Sequence, residues 1–110
     1  MDFDLTKDQV LVRETVSKIA QREVAVKAAE VDRSESFVWE GLKKLSEADV
    51  LGLVVPSEYG GMGMDTLSFV LAIEEIAKAC ASTALAVVSH SICSYIILCA
   101  GNEEQKKKYL

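Results

Sequence analysis

The sequence predicts an all-α domain of about five helices in an orthogonal or up-down arrangement. Apolar residues recur at steps of three and four along most of the chain, which is the period of an amphipathic helix. Residues suited to capping helix ends stand at the predicted boundaries. With 110 residues, half of them hydrophobic, the chain is long enough for one domain with a buried core.

The first helix is predicted to begin at a capping box formed by Thr6 and Gln9. One of its faces is apolar, and charged residues occupy the others as an ordinary solvated surface. The polar segment 32–36 is expected to end this helix. The residues of the apolar face are Val12, Val16, Ile19, Ala20 and Val24.

A shorter second helix is predicted from Trp39, Leu42, Leu45 and Val50, which should share its apolar face. The apolar segment 51–56 follows and ends at the only proline of the chain. Because this segment is short and proline disfavours a helix before it, we expect an extended, buried connection.

Three glycines, Gly60, Gly61 and Gly63, come next. Their spacing does not fit the dinucleotide-binding pattern G-x-G-x-x-G, and no alternation of strands and helices surrounds them. They are therefore interpreted as turn residues.

The third helix is predicted to be capped by Asp65, with Glu74, Glu75 and Lys78 together on its solvent side. Neighbouring glutamates on a helix point about 100° apart and cannot share one substrate atom. A paired acid-base site at Glu74 and Glu75 is therefore not expected.

The fourth helix is predicted to be capped by Ser82 and to run to about Ala100. Segment 79–102 contains no charged residue and is long enough to cross a bilayer. Four polar side chains near its middle would be costly in lipid, so we expect a central helix of a globular protein and no membrane span. These are Ser89, His90, Ser91 and Ser94.

The last helix is predicted to follow a stop at Gly101 and to open on a second capping box, Asn102 with Gln105. The chain ends inside this helix, on Tyr109 and Leu110, without a cap. We therefore expect the sequence to be part of a longer protein.

Composition and charge exclude several classes of function. A net charge of -5 gives no reason to expect a nucleic-acid partner. Cys80, Cys93 and Cys99 are expected to be small buried hydrophobes in a reducing compartment, and their spacing fits no metal site. The lone His90 is expected to be structural. The acidic start carries no targeting signal, which suggests a cytoplasmic chain or one already processed.

Motifs spread along the whole chain resemble the flavin-dependent acyl-CoA dehydrogenases, especially their short-chain, butyryl-CoA type. Their order and spacing make the resemblance specific. They are Met1-Asp2-Phe3, Leu5-Thr6, Gln9, Ala28-Ala29-Glu30, Asp32, Leu51-Gly52-Leu53, Val55-Pro56, Glu58-Tyr59-Gly60-Gly61, Glu74-Glu75-Ile76-Ala77, Ala79-Cys80-Ala81-Ser82-Thr83 and Gly101-Asn102 through Tyr109-Leu110.

The resemblance implies that residues 1–110 are the N-terminal helical domain, truncated inside its last helix, with a middle β-domain and a C-terminal helical domain absent. It implies oxidation of a saturated acyl-CoA to the trans-2-enoyl-CoA by FAD, in a homotetramer that passes electrons to an electron-transferring flavoprotein. The catalytic base and most flavin contacts would lie in the absent domains, so no catalytic residue is expected here. The compartment would be the bacterial cytoplasm or the mitochondrial matrix.

By resemblance, the charge-free helix lines the acyl pocket with Leu85, Val88, Ser89 and Ile92, which also share one helical stripe. The alternative is a purely structural role, in which this stripe packs against another helix. A rival of another class is a non-catalytic helical module, derived from the family, that binds a protein through its apolar helix.

Overall fold

The computed structural model describes residues 1–110 and contains helices and turns but no strand, which confirms the all-α prediction. A π-helical turn at Ala20–Val24 joins α1 and α2 into one continuous helical run, so the domain has five separate helical rods. The principal extents are 42 × 37 × 21 Å, and the smallest one matches about two helix diameters. The helices are α1 Lys7–Ile19, α2 Ala25–Ser34, α3 Trp39–Glu47, α4 Thr66–Ala79, α5 Ala81–Ala100 and α6 Glu103–Tyr109.

The start of α1 is held by the predicted capping box. The Gln9 amide donates to Thr6 Oγ1 at 3.2 Å, and the Thr6 amide donates to Gln9 Oε1 at 2.9 Å. Gln9 is buried, and its Nε2 donates to Asp65 Oδ2 at 2.8 Å. Because Asp65 also accepts from the Ser68 amide at 2.8 Å, one amide side chain links the first turns of α1 and α4.

The long first helix continues further than the sequence indicated. Asp32–Ser34 remain helical, and the chain turns only at Glu35, whose φ of 53° is left-handed. The buried seam of this run falls on Val16, Ala20 and Val24, as predicted. The π-helical turn between α1 and α2 was not predicted, because a single inserted residue leaves the apolar spacing almost unchanged.

The prediction for α3 was right about the helix and wrong about two residues: Trp39 is exposed, and Val50 is buried but lies beyond the end of α3 at Glu47. Leu45 and Val50 are buried, but Trp39 is 73% exposed and packs edge-on against Phe37, with ring centroids 4.7 Å apart. Val38 takes the buried place beside the helix start. Trp39 is the first residue of α3 and therefore lies at the margin of its packed face.

The segment predicted as an extended, buried connection is buried but forms a series of tight turns, so the prediction was right about burial and wrong about conformation. It begins as a 3₁₀ turn at Val50–Gly52, and Leu53 and Val55 point into the core. The glycine turns were predicted correctly: Gly60 and Gly63 have φ of 87° and 62°. These glycines let the loop fold back so that the Gly63 amide donates to the Val55 carbonyl at 2.9 Å.

Asp65 caps α4 as predicted, but Glu75 is not on the solvent side with Glu74. It is 8% exposed, and Lys78 Nζ donates to its Oε1 at 2.8 Å. This bond holds the pKa of Glu75 below its usual range; Ser17 and Arg13, both on α1, lower it further, against the opposing effect of burial. A buried glutamate of this kind needs such partners, because an unpaired charge would be costly there.

Only Cys80 separates α4 from α5, and this overturns the prediction that Ser82 caps α5. The Cys80 amide donates to the Ile76 carbonyl at the end of α4, and the Cys80 carbonyl accepts from the Ala84 amide at the start of α5. Ser82 therefore lies inside the first turn, where its hydroxyl cannot act as an N-cap. The predicted end of α5 at Ala100 is confirmed.

Helix α6 starts at the second predicted capping box, in which Asn102 and Gln105 exchange two hydrogen bonds of 2.9 Å. Tyr59, in the 3₁₀ turn Ser57–Tyr59 just before Gly60, donates its hydroxyl to the Glu103 carboxylate at 3.1 Å. Burial and the Glu103 carboxylate together raise the pKa of Tyr59. This contact ties the first turn of α6 to the loop.

Candidate functional site

The candidate site is the outward face of α5. Helix α5 packs its inner side against α3 and α4, where small and medium residues are buried: Thr83, Ala84, Val87, Ser91 and Ser94. At 100° per residue, the opposite side carries a row of large apolar residues. Their exposed fractions are 67% for Leu85, 55% for Ile92 and 59% for Ile96, and Tyr95, 62% exposed, lies at the edge of this side.

The four residues predicted to line a pocket lie together on this outward face. Leu85, Ser89 and Ile92 are exposed, and Val88 is half-buried at the edge of the face. None of the four belongs to the core of this domain. Residues 1–110 therefore contain no helix that packs on this stripe in the way the structural alternative expected. Tyr95 and Ile96 extend the face beyond the predicted stripe, and the helical period alone could have identified them.

No charged side chain projects from α5. His90 is exposed, lies seven residues after the buried Thr83 on the same side of α5, and forms no ion pair that would orient it as a base. Ser89 supplies the only hydroxyl among the four predicted residues. A surface of this kind can bind and dehydrate an apolar chain, but it offers no acid, base or nucleophile for a reaction.

The three thiols are free, and the prediction that they are buried was wrong for two of them. Cys93 and Cys99 are exposed on α5, whereas Cys80 is half-buried. Both exposed cysteines lie on the outer half of the helix, beside the large apolar residues. They therefore belong to the same outward face, which is more extensive than the sequence indicated.

By length and composition alone α5 could cross a membrane. Of its most apolar window, 28% is buried inside the domain. The buried part is its inner side, which joins the core cluster through Ala84 and Val87. The helix thus packs as part of a globular domain on one side and leaves an apolar surface on the other.

The comparisons with known proteins agree with the fold and with the resemblance. The family described as "Acyl-CoA dehydrogenase, N-terminal domain" matches residues 6–110. The short-chain specific acyl-CoA dehydrogenase of Clostridium acetobutylicum is 44% identical over 100% of this chain, which covers 29% of that protein.

Two solved structures are similar over the whole chain. Butyryl-CoA dehydrogenase from Megasphaera elsdenii superposes with a TM-score of 0.90 at 32% identity, over 100% of this chain and 30% of that one. A chain in a structure described as the electron transferring flavoprotein of Acidaminococcus fermentans gives a TM-score of 0.95 at 38% identity, over 100% of this chain and 29% of that one.

The chain therefore spans less than a third of the length of these relatives. Within that part, the match extends from the capping box at Thr6 to the last residue. The chain belongs to the acyl-CoA dehydrogenase family and corresponds to its all-α N-terminal domain.

Proposed function

We propose that the full-length polypeptide containing this domain is an FAD-dependent acyl-CoA dehydrogenase that oxidises a saturated acyl-CoA to the trans-2-enoyl-CoA. In this proposal the outward face of α5 forms one wall of the acyl pocket. The observation that carries it is the charge-free row of exposed large side chains, of which Leu85 and Ile92 are 67% and 55% exposed. Family membership then supplies the acyl chain as the ligand that such a wall fits.

Leu85, Val88, Ser89 and Ile92 are the residues we assign to this wall. Each methylene that they remove from water contributes about 0.8 kcal/mol of binding free energy. Displacing water from the reacting carbons also strengthens every electrostatic interaction around them. The contribution of the domain is therefore to hold and dehydrate the acyl chain, and the bond-breaking groups belong elsewhere in the protein.

The glycine-rich loop of this domain does not suit the diphosphate of FAD. Gly61 in this loop is required for the turn itself, because a Cβ added there would lie 2.0 Å from the Val55 carbonyl oxygen. Gly61 thus accommodates the backbone of Val55 and is not free to form a phosphate cradle. We assign the flavin mainly to residues outside this domain, and the isolated domain is expected to be inactive.

We further propose that the full-length protein works as a homotetramer and passes electrons to an electron-transferring flavoprotein, in the bacterial cytoplasm or the mitochondrial matrix. The similar structure from Acidaminococcus fermentans supports the electron-transferring flavoprotein, and bacterial and mitochondrial relatives support the two compartments, while the homotetramer rests on the family resemblance alone. Light scattering of the purified full-length protein, and its reduction of a purified electron-transferring flavoprotein, would test them.

The wall is tested by Val88→Trp in the full-length protein, because a larger side chain at the edge of the face shortens the space for the acyl chain. We expect kcat/KM for octanoyl-CoA to fall about tenfold more than kcat/KM for butyryl-CoA. Val26→Trp is the matched control, since Val26 is 68% exposed on α2, on a different helix from the wall. The control should leave the chain-length profile unchanged.

An equal loss for both acyl-CoA substrates in Val88→Trp would contradict the pocket assignment and indicate ordinary packing. A full-length protein that binds no flavin and oxidises no acyl-CoA would overturn the enzyme proposal itself. It would favour the alternative, a protein-interaction module derived from the family.

A further inference from the structure

A second surface, separate from the outward face of α5, is a groove between α2, the segment linking α2 to α3, and the first turn of α5. Two adjoining cavities of about 310 and 450 Å³ form it. Val31 and Cys80 line both of them, so the groove is continuous. It shares no residue with the proposed acyl wall.

The floor and one side of the groove are apolar. Val24 and Val38 are buried beneath it, and Val31 is half-buried in its wall. Phe37 and Trp39 are 55% and 73% exposed, and their rings pack edge-on at its side. Exposed aromatic residues beside a groove are typical of protein-binding sites, where tryptophan often contributes much of the binding energy.

The rim of the groove is strongly acidic. The only basic residue there is Lys27, whose Nζ lies 3.8 Å from Glu40 Oε2. Such a rim repels acidic partners and attracts cationic ones, and the face of Trp39 can also receive a Lys or Arg side chain. The lining carboxylates are those of Glu23, Glu30, Asp32, Glu35 and Glu40.

One end of the groove offers main-chain hydrogen bonding. Helix α5 begins there without a capping side chain, so the amides of its first turn lack side-chain acceptors. Thr83, which is 1% exposed, lines the same end. A carbonyl oxygen of a bound polypeptide could accept from these amides.

We propose that this groove docks a cationic segment of another protein, in which Lys or Arg residues flank a bulky apolar side chain. The apolar side chain enters between Val31 and Phe37, and the cations meet the rim carboxylates and Trp39. The basic run Lys106–Lys108 of the same molecule does not reach the groove, because it follows the far end of α5. A 20-residue helix of about 30 Å separates the two.

The test uses the full-length protein and a fluorescein-labelled helical probe peptide with leucines on one face and lysines on the other. A second probe has glutamate in place of every lysine. We expect fluorescence anisotropy to show saturable binding of the lysine probe, about tenfold tighter than the glutamate probe. Raising the salt from about 50 to about 300 mM should weaken the lysine probe several-fold, because the rim charges are exposed.

Two triple variants locate the binding. Glu23→Gln, Glu30→Gln and Glu40→Gln together should weaken the lysine probe about tenfold, since they neutralise the rim. Glu14→Gln, Glu58→Gln and Glu104→Gln change the net charge equally at exposed sites outside the groove, and should leave affinity unchanged. Trp39→Ala removes an exposed ring and should also weaken the probe without unfolding the protein.

Equal affinities for the two probes, or equal losses in the two triple variants, would overturn the proposal. Self-association of the protein would also overturn it if the groove variants abolished that association, because the groove would then bind a second copy of the chain. None of these results bears on acyl-CoA oxidation, which the groove variants should retain.

Discussion

The two sides of α5 differ in a way that reverses the usual distribution of residue size. The inner side buries small or medium residues such as Ala84, Val87 and Ser91, whereas the outer side exposes Leu85 and Ile92. Small residues on the inner side let α3 and α4 approach α5 closely. The difference teaches that hydrophobicity alone does not identify the core side of a helix. A large exposed apolar side chain here indicates a second surface made for contact.

The largest expected difference between core and outer face is in stability, and two isoleucines test it. Ile76 on α4 is 0% exposed and belongs to the core cluster that includes Val87, while Ile92 on the outer face of α5 is 55% exposed. Ile76→Ala should lower the free energy of unfolding by about 2–5 kcal/mol through lost burial and a cavity. Ile92→Ala should change it by less than about 0.5 kcal/mol in this domain. Urea unfolding of the purified domain measures both.

A large loss of stability in Ile92→Ala would mean that the outer face is part of the core of this domain after all. In the full-length protein, by contrast, the same substitution should act on the binding of acyl-CoA. Comparing the two contexts sharpens the distinction between a packed side and a ligand-facing side.

A smaller difference concerns pH. The inner packing of α4 includes the buried Glu75, whose pKa is lowered first by its bond to Lys78, whereas the outer face of α5 has no carboxylate. A lowered pKa means that Glu75 stabilises the fold fully above its usual value of 4.5. This contribution is lost as the pH falls through the lower value of the folded state.

Glu75→Gln should therefore be less stable than the native protein at neutral pH, and the two should converge as the pH falls below 4.5. Thermal unfolding across this pH range measures the convergence. The matched control is Glu74→Gln, at the neighbouring exposed position, which should leave the pH dependence unaltered. A constant difference at every pH would show that Glu75 acts through its size and not through its charge.

The smallest expected effect compares two serines of α5. Ser91 Oγ is buried without a hydrogen-bond partner, while Ser89 is exposed on the outer face. Because a buried unpaired hydroxyl costs about 1–3 kcal/mol, Ser91→Ala should be neutral or stabilise the domain slightly. Ser89→Ala should leave stability unchanged. Calorimetry of both variants checks the order, and marked destabilisation by Ser91→Ala would reveal a hydrogen bond of that hydroxyl.

The parts of the fold that depend on neighbouring residues were predictable from the sequence. Thr6 with Gln9, and Asn102 with Gln105, are complete capping boxes, and Gly60 and Gly63 need their positive φ locally. Their geometry follows from residues within a few positions, so no tertiary information is needed. The long charge-free segment likewise identified the helix that carries the candidate site.

Two of the wrong predictions, those for Glu75 and Trp39, depended on packing that the local sequence pattern does not reveal. Glu75 is buried because α1 brings Arg13 and Ser17 towards it, and Trp39 is exposed because Val38 takes the packed place. The acidic groove was missed because its lining comes from α2, α3 and α5 together. The stripe of four pocket residues was found from resemblance and helical spacing, and its place in an acyl pocket stays a prediction.

The single-residue junction at Cys80 also constrains how this domain can vary in length. One residue inserted there would rotate α5 by about 100° relative to α4 and turn Leu85 and Ile92 away from their present direction. The same insertion between Glu35 and Val38 would be absorbed by a surface turn. Natural length variation is therefore expected at that turn, while the spacing between Ile76 and Leu85 should stay fixed.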